Sequence, residues 1–545
     1  MKILGIAGGM HSCGLAYLKD GKPIFAFEEE RFNRIRNYKD FYQNLFRYPF
    51  QSGQNVWFDK DWDWNDLDYI TSHFSIKETE EIWDGVGLGP FPKEKFIQTN
   101  HHRAHCSLAY YCSGFKEDTL VVSIDAMGEK YSARYFIGSN GNMEDIGNIS
   151  SDFKSLGHYY AMLTEFLGFK RLKDEGKVVG MASHGYFHQD FYDVFNKCIK
   201  VKDIKTDRDY GKIISGGVYE DFYKLWFEKF GSKSTSAMKN AIAYNGQLVF
   251  EEKIIQIFNN LHKTHPHLKK VALAGGIFAN VKLNKRINEL EWVDEVFIAP
   301  PMGDEGIPLG SALSVHKLKN PDFKPFRLND VYLGTSYGEK NTKVIGEWCA
   351  YGEVKDNNKK YHIRPYNEQN LAYDLKEGKI VGWFQGRHEH GPRALCNRSI
   401  IADPSVPGMY KKINDKLQRN DFMPFAPVVL DNHVNNVFDV KKSKYTAEFM
   451  TMLYDTKEEW HDKIPAVIHP VDKTARIQIV TAKSNPKFYR LINKFWLTTS
   501  IPVLLNTSFN IHGEPIVCRP EEAFVHLDNN IVDILVINNK VYTKK

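Results

Sequence analysis

Three apolar runs in the first part of the chain each end in a loop that starts with a carboxylate or a pair of glycines. The runs are TLVVSIDAMGE at 119–129, KKVALAGGIFAN at 269–280 and VDEVFIAPPMGDEG at 293–306. Such runs are typical of strands buried on both faces, and the residues that follow indicate helices. Because the carboxyl ends of parallel strands meet at one edge, the pattern predicts an α/β sheet with a ligand crevice along that edge.

A second α/β domain is predicted after residue 330. The segment KLKNPDFKPFRLNDVYLG at 317–334 interrupts the periodicity with two prolines and alternating charges, which favours a domain boundary. Beyond it, strands again lead into loops rich in Gly, Arg, Ser and Asn. We therefore expect domains at 1–330 and 335–545, with a helical insertion at about 186–241 that covers the crevice. The sequence shows no internal repeat.

Length and charge narrow the class of protein. A chain of 545 residues is too long for one hydrophobic core, so at least two domains are expected. The formal net charge is +5, from 72 Lys and Arg against 67 Asp and Glu, which is too weak to indicate a nucleic-acid partner. The 7 cysteines form no CxxC pair. No signal peptide and no stretch able to span a bilayer is found, so we expect a cytoplasmic protein without a membrane partner.

The segment HHRAH at 101–105 brings three histidines together. Asn100 is a favourable N-cap residue, so a helix is predicted to begin at His101. His101 and His105 are then four residues apart and lie on one helical face. His102 points elsewhere and is expected to be structural.

A metal site is one interpretation of this histidine pair. Asp125 and Asp304 end two strands at the same predicted edge, and two imidazoles with two carboxylates suit iron, zinc or manganese. The alternative is that His101 and His105 line an ordinary helix and bind no metal. The spacing alone does not decide between the two.

A series of motifs extends along nearly the whole chain, and several of them are long. The motifs are HHRAH, SIDAMGE, SLGHYYAMLTEFLGF, EGKVVGMASHG, LAGGIFAN, GDEGIPLGSAL, GWFQGRHEHGPRALCNRSIIADP, PFAPVVL, DKTARIQ and PVLLNTSFNIHGEPIV. In their residues and their order they resemble the carbamoyltransferase family that includes the tobramycin and nodulation-factor O-carbamoyltransferases.

The resemblance implies a fold and a reaction. It implies an actin-like (ASKHA-type) α/β domain followed by a YrdC-like α/β domain. The family uses ATP and carbamoyl phosphate to make carbamoyl-adenylate in the second domain, and it transfers the carbamoyl group to an acceptor hydroxyl in the first. Mg²⁺ is expected with ATP. An iron ion, or a similar divalent cation, is expected on the positions that match His101, His105, Asp125 and Asp304.

The resemblance also implies residues for the nucleotide and the phosphates. Two anionic substrates require cations with planar, bidentate geometry, which arginine supplies better than lysine. The candidates in the second domain are Arg387, Arg393, Arg398, Arg419 and Arg476, with Thr507, Ser508 and Asn510 as short donors. The candidates for an adenylate cradle in the first domain are Gly128, Glu175, Gly176, Lys177, Gly275, Gly276 and Asn280. Two alternatives stay open: any one of the arginines pairs with a core carboxylate, or the glycine pair is only a packing turn.

Two departures from the family pattern affect these expectations. Relatives commonly carry an aspartate where this chain has Ser12, so the general base is open and His11 is the substitute candidate. Relatives also carry Arg and Glu where this chain has Met423 and Asn420. Arg419 is retained and is expected to be catalytic together with His101 and His105.

Two other functions remain as alternatives. One is an actin-like kinase or ATPase that uses only the first domain, which leaves the arginine-rich second domain without a role. The other is a threonylcarbamoyl-type protein that modifies nucleic acid, for which the sequence has no compact basic stripe. The acceptor is expected to be a small molecule, a sugar or a hydroxymethylated nucleobase, and the protein a monomer or a homodimer.

Overall fold

The chain folds into a mixed α/β structure with three main sheets. None of the described helices is both long enough and apolar enough to cross a lipid bilayer. The computed structural model describes residues 1–7, 12–36, 66–85, 90–150, 155–199, 201, 218–231, 236–337, 356–419 and 424–545.

The first sheet has five strands and begins at the amino terminus. Its strands are β1 Lys2–Ala7, β2 Gly14–Lys19, β3 Lys22–Glu28, β4 Tyr69–Ser72 and β5 Phe96–Gln98. They lie in the order β3-β2-β1-β4-β5, with β1, β2 and β3 antiparallel and β4 and β5 parallel to β1. Asp20 and Gly21, at φ +50° and +78°, form a tight turn between β2 and β3.

The second sheet repeats this topology. Its strands are β6 Thr119–Gly128, β7 Tyr131–Ser139, β8 Asn142–Ser150, β9 Lys270–Ala274 and β10 Glu295–Ile298. The order is β8-β7-β6-β9-β10, again with three antiparallel strands followed by two strands parallel to the central one. The three predicted strand–loop patterns are therefore β6, β9 and β10, which are parallel neighbours. The repeat lies in the backbone arrangement and is not visible in the sequence.

Helices cover both sheets. In residues 1–330, which we call the first half, they are α1 Glu30–Asn33, α2 Ile76–Gly85, α3 His101–Ser113, α4 Leu156–Phe166, α5 Glu175–Ser183, α6 Gln189–Cys198, α7 Val218–Phe230, α8 Lys239–Thr264, α9 Val281–Asn288 and α10 Ile307–Lys319. Helix α10 packs on the first sheet, α3 packs on the second, and the two helices contact each other. The site-bearing helix α3 is therefore held between the two sheets.

Helices α6 and α7 lie within the predicted insertion at about 186–241, whose position over the crevice stays a prediction. Helices α6 and α7 pack together through stacked aromatic rings, with Phe191 5.4 Å from Trp226 and Phe195 5.4 Å from Phe222. Helix α6 also packs against the long helix α8, and helix α7 packs against α4. Residues 200, 202–217 and 232–235 fall outside the described ranges.

An eight-stranded sheet forms the centre of residues 335–545, which we call the second half. The described strands of this half, including two that lie outside the sheet, are β11 Tyr361–Pro365, β12 Val381–Phe384, β13 Arg398–Ala402, β14 Ala426–Leu430, β15 Tyr454–Asp455, β16 Thr474–Ala475, β17 Gln478–Val480, β18 Val503–Ser508, β19 Ile534–Ile537 and β20 Lys540–Lys544. The sheet order is β11-β20-β19-β12-β13-β18-β14-β17, and β15 pairs with β16 separately. The α/β class of this half is confirmed, whereas its YrdC-like type and the boundary near residue 330 stay predictions.

The remaining helices are short or lie on the eight-stranded sheet. The α-helices of the second half are α11 Glu368–Lys376, α12 Met409–Lys416, α13 Val434–Val437, α14 Pro486–Thr499 and α15 Pro520–Asp528. Single turns of 3₁₀ helix occur at Lys93–Lys95, Ser236–Met238, Gly276–Ala279, Asp304–Gly306, Thr446–Phe449, Glu458–Trp460 and Pro465–Val467.

The second half covers the outer edge of strand β10. The Val296 amide donates to Ser443 Oγ at 2.7 Å, and the Ile298 amide donates to Thr446 Oγ1 at 3.0 Å. An edge strand otherwise exposes such amides to water or to other chains. The two halves are therefore joined by backbone groups of a sheet as well as by the connecting chain.

Candidate functional site

Helix α3 presents the histidines as the sequence predicts. The helix begins at His101, and the Asn100 side chain accepts a hydrogen bond from the Arg103 amide at 3.1 Å. Gly114 ends the helix in the left-handed conformation, at φ +70°. Because the cap fixes the first turn, it also fixes the direction in which His101 and His105 project.

The two histidines meet two aspartates in one compact group, the His–Asp cluster of His101, His105, Asp125 and Asp304. His105 Nε2 lies 3.5 Å from Asp125 Oδ2 and 3.4 Å from Asp304 Oδ1. His101 Nε2 lies 3.7 Å from Asp304 Oδ1. One ligand atom from each residue falls within 4.8 Å of all the others. The predicted convergence of these side chains at the strand ends is confirmed.

Strand ends and glycines orient the cluster. Asp125 Oδ2 accepts the Gly276 amide at 2.9 Å, and its other oxygen accepts the Ala126 amide at 2.6 Å. Strand β6 continues to Gly128, so Asp125 lies within an irregular strand end and not in the predicted loop. A side chain at Gly128 would meet His101 Cδ2 at 2.4 Å. This glycine therefore makes room for a histidine of the cluster.

The charges of the cluster favour a bound cation. Burial opposes charge on His105, but the adjacent carboxylates of Asp125 and Asp304 outweigh it and raise the pKa of His105 to about 9. Burial lowers the pKa of His101. Within the described residues, Nε2 of each histidine has no hydrogen-bond partner. Two imidazole nitrogens and two carboxylates fit a divalent first-row transition metal.

His102 has a structural role, as expected. Its Nδ1 lies 2.8 Å from Ser123 Oγ and its Nε2 lies 2.8 Å from the Tyr131 carbonyl oxygen. His73 is a neighbour that the sequence does not reveal, because it lies after strand β4 and far from the HHRAH motif. Its ring centroid is 5.6 Å from that of His101, and burial lowers the pKa of His73 to about 3.

A cavity of about 310 Å³ lies where the two halves meet, and we call it the anion cavity. The sequence places its residues in two separate groups, a cradle in the first half and a phosphate site in the second. The structure brings members of both groups to one cavity. Those members are Gly176, Lys177, Arg393, Arg419, Arg476, Thr507, Ser508 and Asn510.

Three arginines of the second half, Arg393, Arg419 and Arg476, bring positive charge to the anion cavity. Arg419 donates to Thr507 Oγ1 at 2.9 Å and to Ser508 Oγ at 3.1 Å. Among the described residues, neither Arg393 nor Arg476 forms an ion pair, and Nε of each lacks a hydrogen-bond partner. Burial, and after it the charges of Arg393 and Arg419, lower the pKa of Arg476 well below its usual range. Such mutual repulsion is relieved when an anion binds.

Two predicted phosphate ligands point elsewhere. Arg387 Nε donates to the Gly334 carbonyl at 2.8 Å, and Arg398 Nη1 donates to the Gln385 carbonyl at 2.6 Å. The Arg398 guanidinium also lies 3.6 Å from the centre of the Phe384 ring. In the described structure neither side chain lines the anion cavity. Both join backbone segments near the junction of the halves.

Other cradle candidates lie beside the cavity or the cluster. Asn280 caps helix α9 by accepting the Leu283 amide at 3.1 Å, and Glu175 accepts the Leu172 amide at 2.5 Å. Gly275 has φ +106° and starts the turn that brings Gly276 to Asp125.

The first loop is only partly described. His11 lies outside the described residues, as do Asn420 and Met423. Ser12 lines a second cavity of about 90 Å³, which shares Glu30 and Pro392 with the anion cavity.

The sequence misses a group of charged residues that line the anion cavity. They are Glu30, Arg31, Arg36, Lys173, Asp174, His512 and Glu514. The run EEERFNRIR at 28–36 would have been the available signal, but a charged run after a strand usually forms a solvated helix face. Only the packing of the two halves shows that this run borders a cavity.

Comparisons with known proteins agree with the motifs. The family described as carbamoyltransferase N-terminus matches residues 85–313, and the family described as carbamoyltransferase C-terminus matches residues 372–544. An uncharacterized protein of Methanocaldococcus jannaschii is 31% identical over 99% of both chains. The 3'-hydroxymethylcephem-O-carbamoyltransferase of Amycolatopsis lactamdurans is 24% identical over 98% of both chains.

Among solved structures, full-length HypF in its phosphate- and nucleotide-bound form has a TM-score of 0.36 at 16% identity, covering 58% of this chain and 56% of that one. The sequence matches, which together extend over most of the chain, identify the family. The chain belongs to the carbamoyltransferase family.

Proposed function

We propose that the protein is an ATP-dependent O-carbamoyltransferase that forms carbamoyl-adenylate and passes its carbamoyl group to an acceptor hydroxyl. The observation that supports this proposal most directly is the anion cavity. It gathers Arg393, Arg419 and Arg476 with Lys177 at the junction of the halves. Guanidinium groups are suited to phosphate oxygens, which they bind through two parallel hydrogen bonds.

The cavity fits the activation step chemically. Water hydrolyses carbamoyl phosphate to carbamate and inorganic phosphate. An oxygen of the carbamate then attacks the α-phosphorus of ATP. The bond from this phosphorus to the bridging oxygen breaks, and pyrophosphate leaves with Mg²⁺. Negative charge accumulates on the departing group, where the arginines would stabilise it. The product is a mixed anhydride whose leaving group is AMP.

The transfer step fits the His–Asp cluster. The acceptor oxygen attacks the carbamoyl carbon, the bond to AMP breaks, and the hydroxyl proton passes to a base. His101, His105, Asp125 and Asp304 would hold a divalent cation, iron by the family resemblance. That cation would supply Lewis-acid polarisation when bound. His11 stays the candidate base, although it lies outside the described residues.

The acceptor is proposed to be an alcohol on a small molecule. The Amycolatopsis relative is named for O-carbamoylation of a hydroxymethyl group, which is a primary alcohol. A sugar hydroxyl and a hydroxymethylated nucleobase stay open as acceptors. Comparative mass spectrometry of host metabolites and nucleosides, with and without the protein, would identify a carbamoylated product by its added mass.

Product analysis tests the activation step. The protein given ATP, Mg²⁺ and carbamoyl phosphate should release AMP and pyrophosphate, and omission of carbamoyl phosphate should stop the release. Arg476→Met should reduce it strongly, whereas Arg490→Met should not, because Arg490 is exposed and pairs with Glu368. Formation of ADP without a need for carbamoyl phosphate would instead support the kinase or ATPase alternative.

Substitution of the histidines tests the division between the two steps. The double variant His101→Ala with His105→Ala should lose the carbamoylated product but retain pyrophosphate release. The reason is that these side chains belong to the His–Asp cluster and do not line the anion cavity within the described structure. Equal loss of both activities would contradict the separate roles.

A further inference from the structure

Two residues of the first half hold a single glycine of the second half. The Gly391 amide donates to Glu28 Oε1 at 2.5 Å, and the Gly391 carbonyl accepts from Arg31 Nη2 at 2.7 Å. Glu28 and Arg31 also form an ion pair at 3.4 Å. Both backbone groups of Gly391 are therefore bound by one buried ion pair.

The ion pair is itself fixed and charged. Arg31 is only 1% exposed and Glu28 only 4%. Burial opposes ionisation of Glu28, but His390, whose Nδ1 is 2.7 Å away, and Arg31 outweigh it and hold the pKa of Glu28 at about 2. Charged groups make hydrogen bonds about twice as strong as neutral ones do. The hydrogen bonds to Gly391 are therefore among the stronger contacts between the two halves.

Gly391 packs closely against a backbone segment of the first half. It adopts φ +108°, and a side chain there would lie 3.3 Å from Pro301 Cα. Pro301 belongs to the loop that leads to Asp304 of the His–Asp cluster. Gly391 therefore lies between the buried ion pair and the loop of the cluster.

The glycine is connected rigidly to a cation of the anion cavity. Pro392 follows it, and the proline ring restricts the backbone on both sides. Arg393 comes next and lines the cavity. On the far side of this loop, Glu389 Oε1 accepts the amides of Leu395 and Asn397, each at 2.7 Å. The backbone around Arg393 is therefore fixed at two points.

Arg393 is attracted by the charge of Glu305, but no carboxylate of the described residues forms an ion pair with it. Within the described chain, its Nε has no hydrogen-bond partner. The position of such a cation depends strongly on its own backbone. One of the two contacts that fix this backbone comes from the first half of the protein, through Glu28 and Arg31.

We propose that Glu28 and Arg31 are positioning residues that act through Gly391 to hold Arg393 toward a phosphorylated substrate. The proposal rests on the proposed function for the identity of that substrate. Under this proposal, the anion cavity is complete only when the first half packs against the second half. Arg34, just after helix α1, supports the same arrangement by donating to the carbonyls of Ile516 at 2.6 Å and Pro515 at 2.7 Å, which also border the cavity.

A double-mutant cycle tests the proposal on the full-length protein. The variants are Arg31→Met, Arg393→Met and the combination of both, and the measurement is the dissociation constant of inorganic pyrophosphate by calorimetry. Each single change should weaken binding roughly 10- to 100-fold, the range expected for loss of one charge-assisted contact. If Arg31 acts through Arg393, the double variant should bind about as weakly as Arg393→Met alone. Multiplication of the two single effects would overturn the proposal.

Two further variants separate positioning from a general loss of structure. Arg31→Lys keeps the charge and a donor for the Gly391 carbonyl, so it should bind pyrophosphate more tightly than Arg31→Met. Arg490→Met should bind as the wild type does. If Arg31→Met fails to fold, Glu28→Gln replaces it in the same cycle, with the same non-additive result expected. Equal binding by Arg31→Lys and Arg31→Met would count against positioning.

The cycle is independent of the proposed reaction. Pyrophosphate binding is measured without turnover, so a wild-type protein that binds pyrophosphate but never forms AMP from ATP and carbamoyl phosphate contradicts the proposed function alone. In an active enzyme, Arg31→Met should raise KM for carbamoyl phosphate and leave kcat less affected. A fall in kcat at unchanged KM would contradict the positioning role.

Discussion

Arg387 and Arg476 show how differently the same side chain is used at neighbouring places in the second half. Arg387 donates to backbone carbonyls, including that of Leu333, and so joins two segments. Arg476 lies near two other cations, Arg393 and Arg419, and forms no ion pair with a carboxylate of the described residues. A guanidinium that satisfies carbonyls serves structure, whereas one that lacks an anion is prepared to bind one.

At the same scale, His105 and His102 should differ in their effect on metal binding. His105→Ala removes a nitrogen of the His–Asp cluster and should abolish stoichiometric binding of iron or zinc, measured by elemental analysis after dialysis. His102→Gln removes hydrogen bonds to Ser123 and Tyr131 instead and should lower stability while retaining the metal. Loss of metal from both variants, or from neither, would contradict the assignment of the ligands.

Gly275 and Gly176 form a matched pair of glycines near the site. A side chain at Gly275 would meet the Ile124 carbonyl oxygen at 2.2 Å and would have to adopt φ +106°. Gly275→Ala should therefore reduce the free energy of unfolding by about 2–4 kcal/mol. At Gly176, in helix α5, no atom of the described residues outside the helix's own backbone lies within 4 Å of the added carbon, so Gly176→Ala should stabilise by about 0.5 kcal/mol. Chemical denaturation of both variants measures the difference.

At the scale of elements, the site depends on where strands and helices begin and end. Strands β6, β9 and β10 are parallel neighbours, so their carboxyl ends deliver Asp125, the glycine turn and Asp304 to one place. Helix α3 starts opposite that edge and contributes its first turn. The cluster is therefore a consequence of element ends, with each ligand close to a terminus.

The cap of helix α3 should influence both stability and metal affinity. Asn100→Ala removes the acceptor for the Arg103 amide and should cost about 1 kcal/mol of unfolding free energy. It should also weaken metal binding, because the first turn carries His101 and the next turn carries His105. Asn367 caps helix α11 in the same way, so Asn367→Ala should cost a similar amount and leave metal affinity unchanged. An unchanged metal affinity in Asn100→Ala would contradict an influence of the helix cap on the metal site.

At the scale of the whole molecule, the two halves complete each other. Ser443 and Thr446 satisfy amides at the edge of β10, Glu28 and Arg31 bind Gly391, and the anion cavity has walls from both halves. Each contact uses buried polar groups that would lack partners if the halves separated. The arrangement favours folding of the two halves as a single cooperative unit.

Removal of one hydroxyl at this junction should be costly. Thr446→Val leaves the buried Ile298 amide without its acceptor and should lower the free energy of unfolding by about 1–3 kcal/mol. Thr498→Val, on the exposed surface of helix α14, should change it by less than about 0.5 kcal/mol. Denaturant unfolding followed by tryptophan fluorescence compares the two. Equal effects would mean that the covered edge of β10 contributes little to stability.

Much of the local structure follows from the sequence. Apolar runs, glycine turns and the cap at Asn100 predict β6, β9, β10 and the start of helix α3, because strand burial, tight turns and helix capping depend on residues close in the chain. The spacing of His101 and His105 follows from helical geometry alone. The motifs of the family add the reaction and the metal ligands as expectations.

Which residues share a cavity was decided only by the tertiary structure. Arg387, Arg393 and Arg476 look alike in the sequence, yet one binds carbonyls and two line the anion cavity. The run from Glu28 to Arg31 reads as a solvated helix face but is buried against Gly391. The physical reason is that burial and charge pairing depend on which segments distant in the chain pack together, whereas local patterning fixes only the element on which each side chain lies.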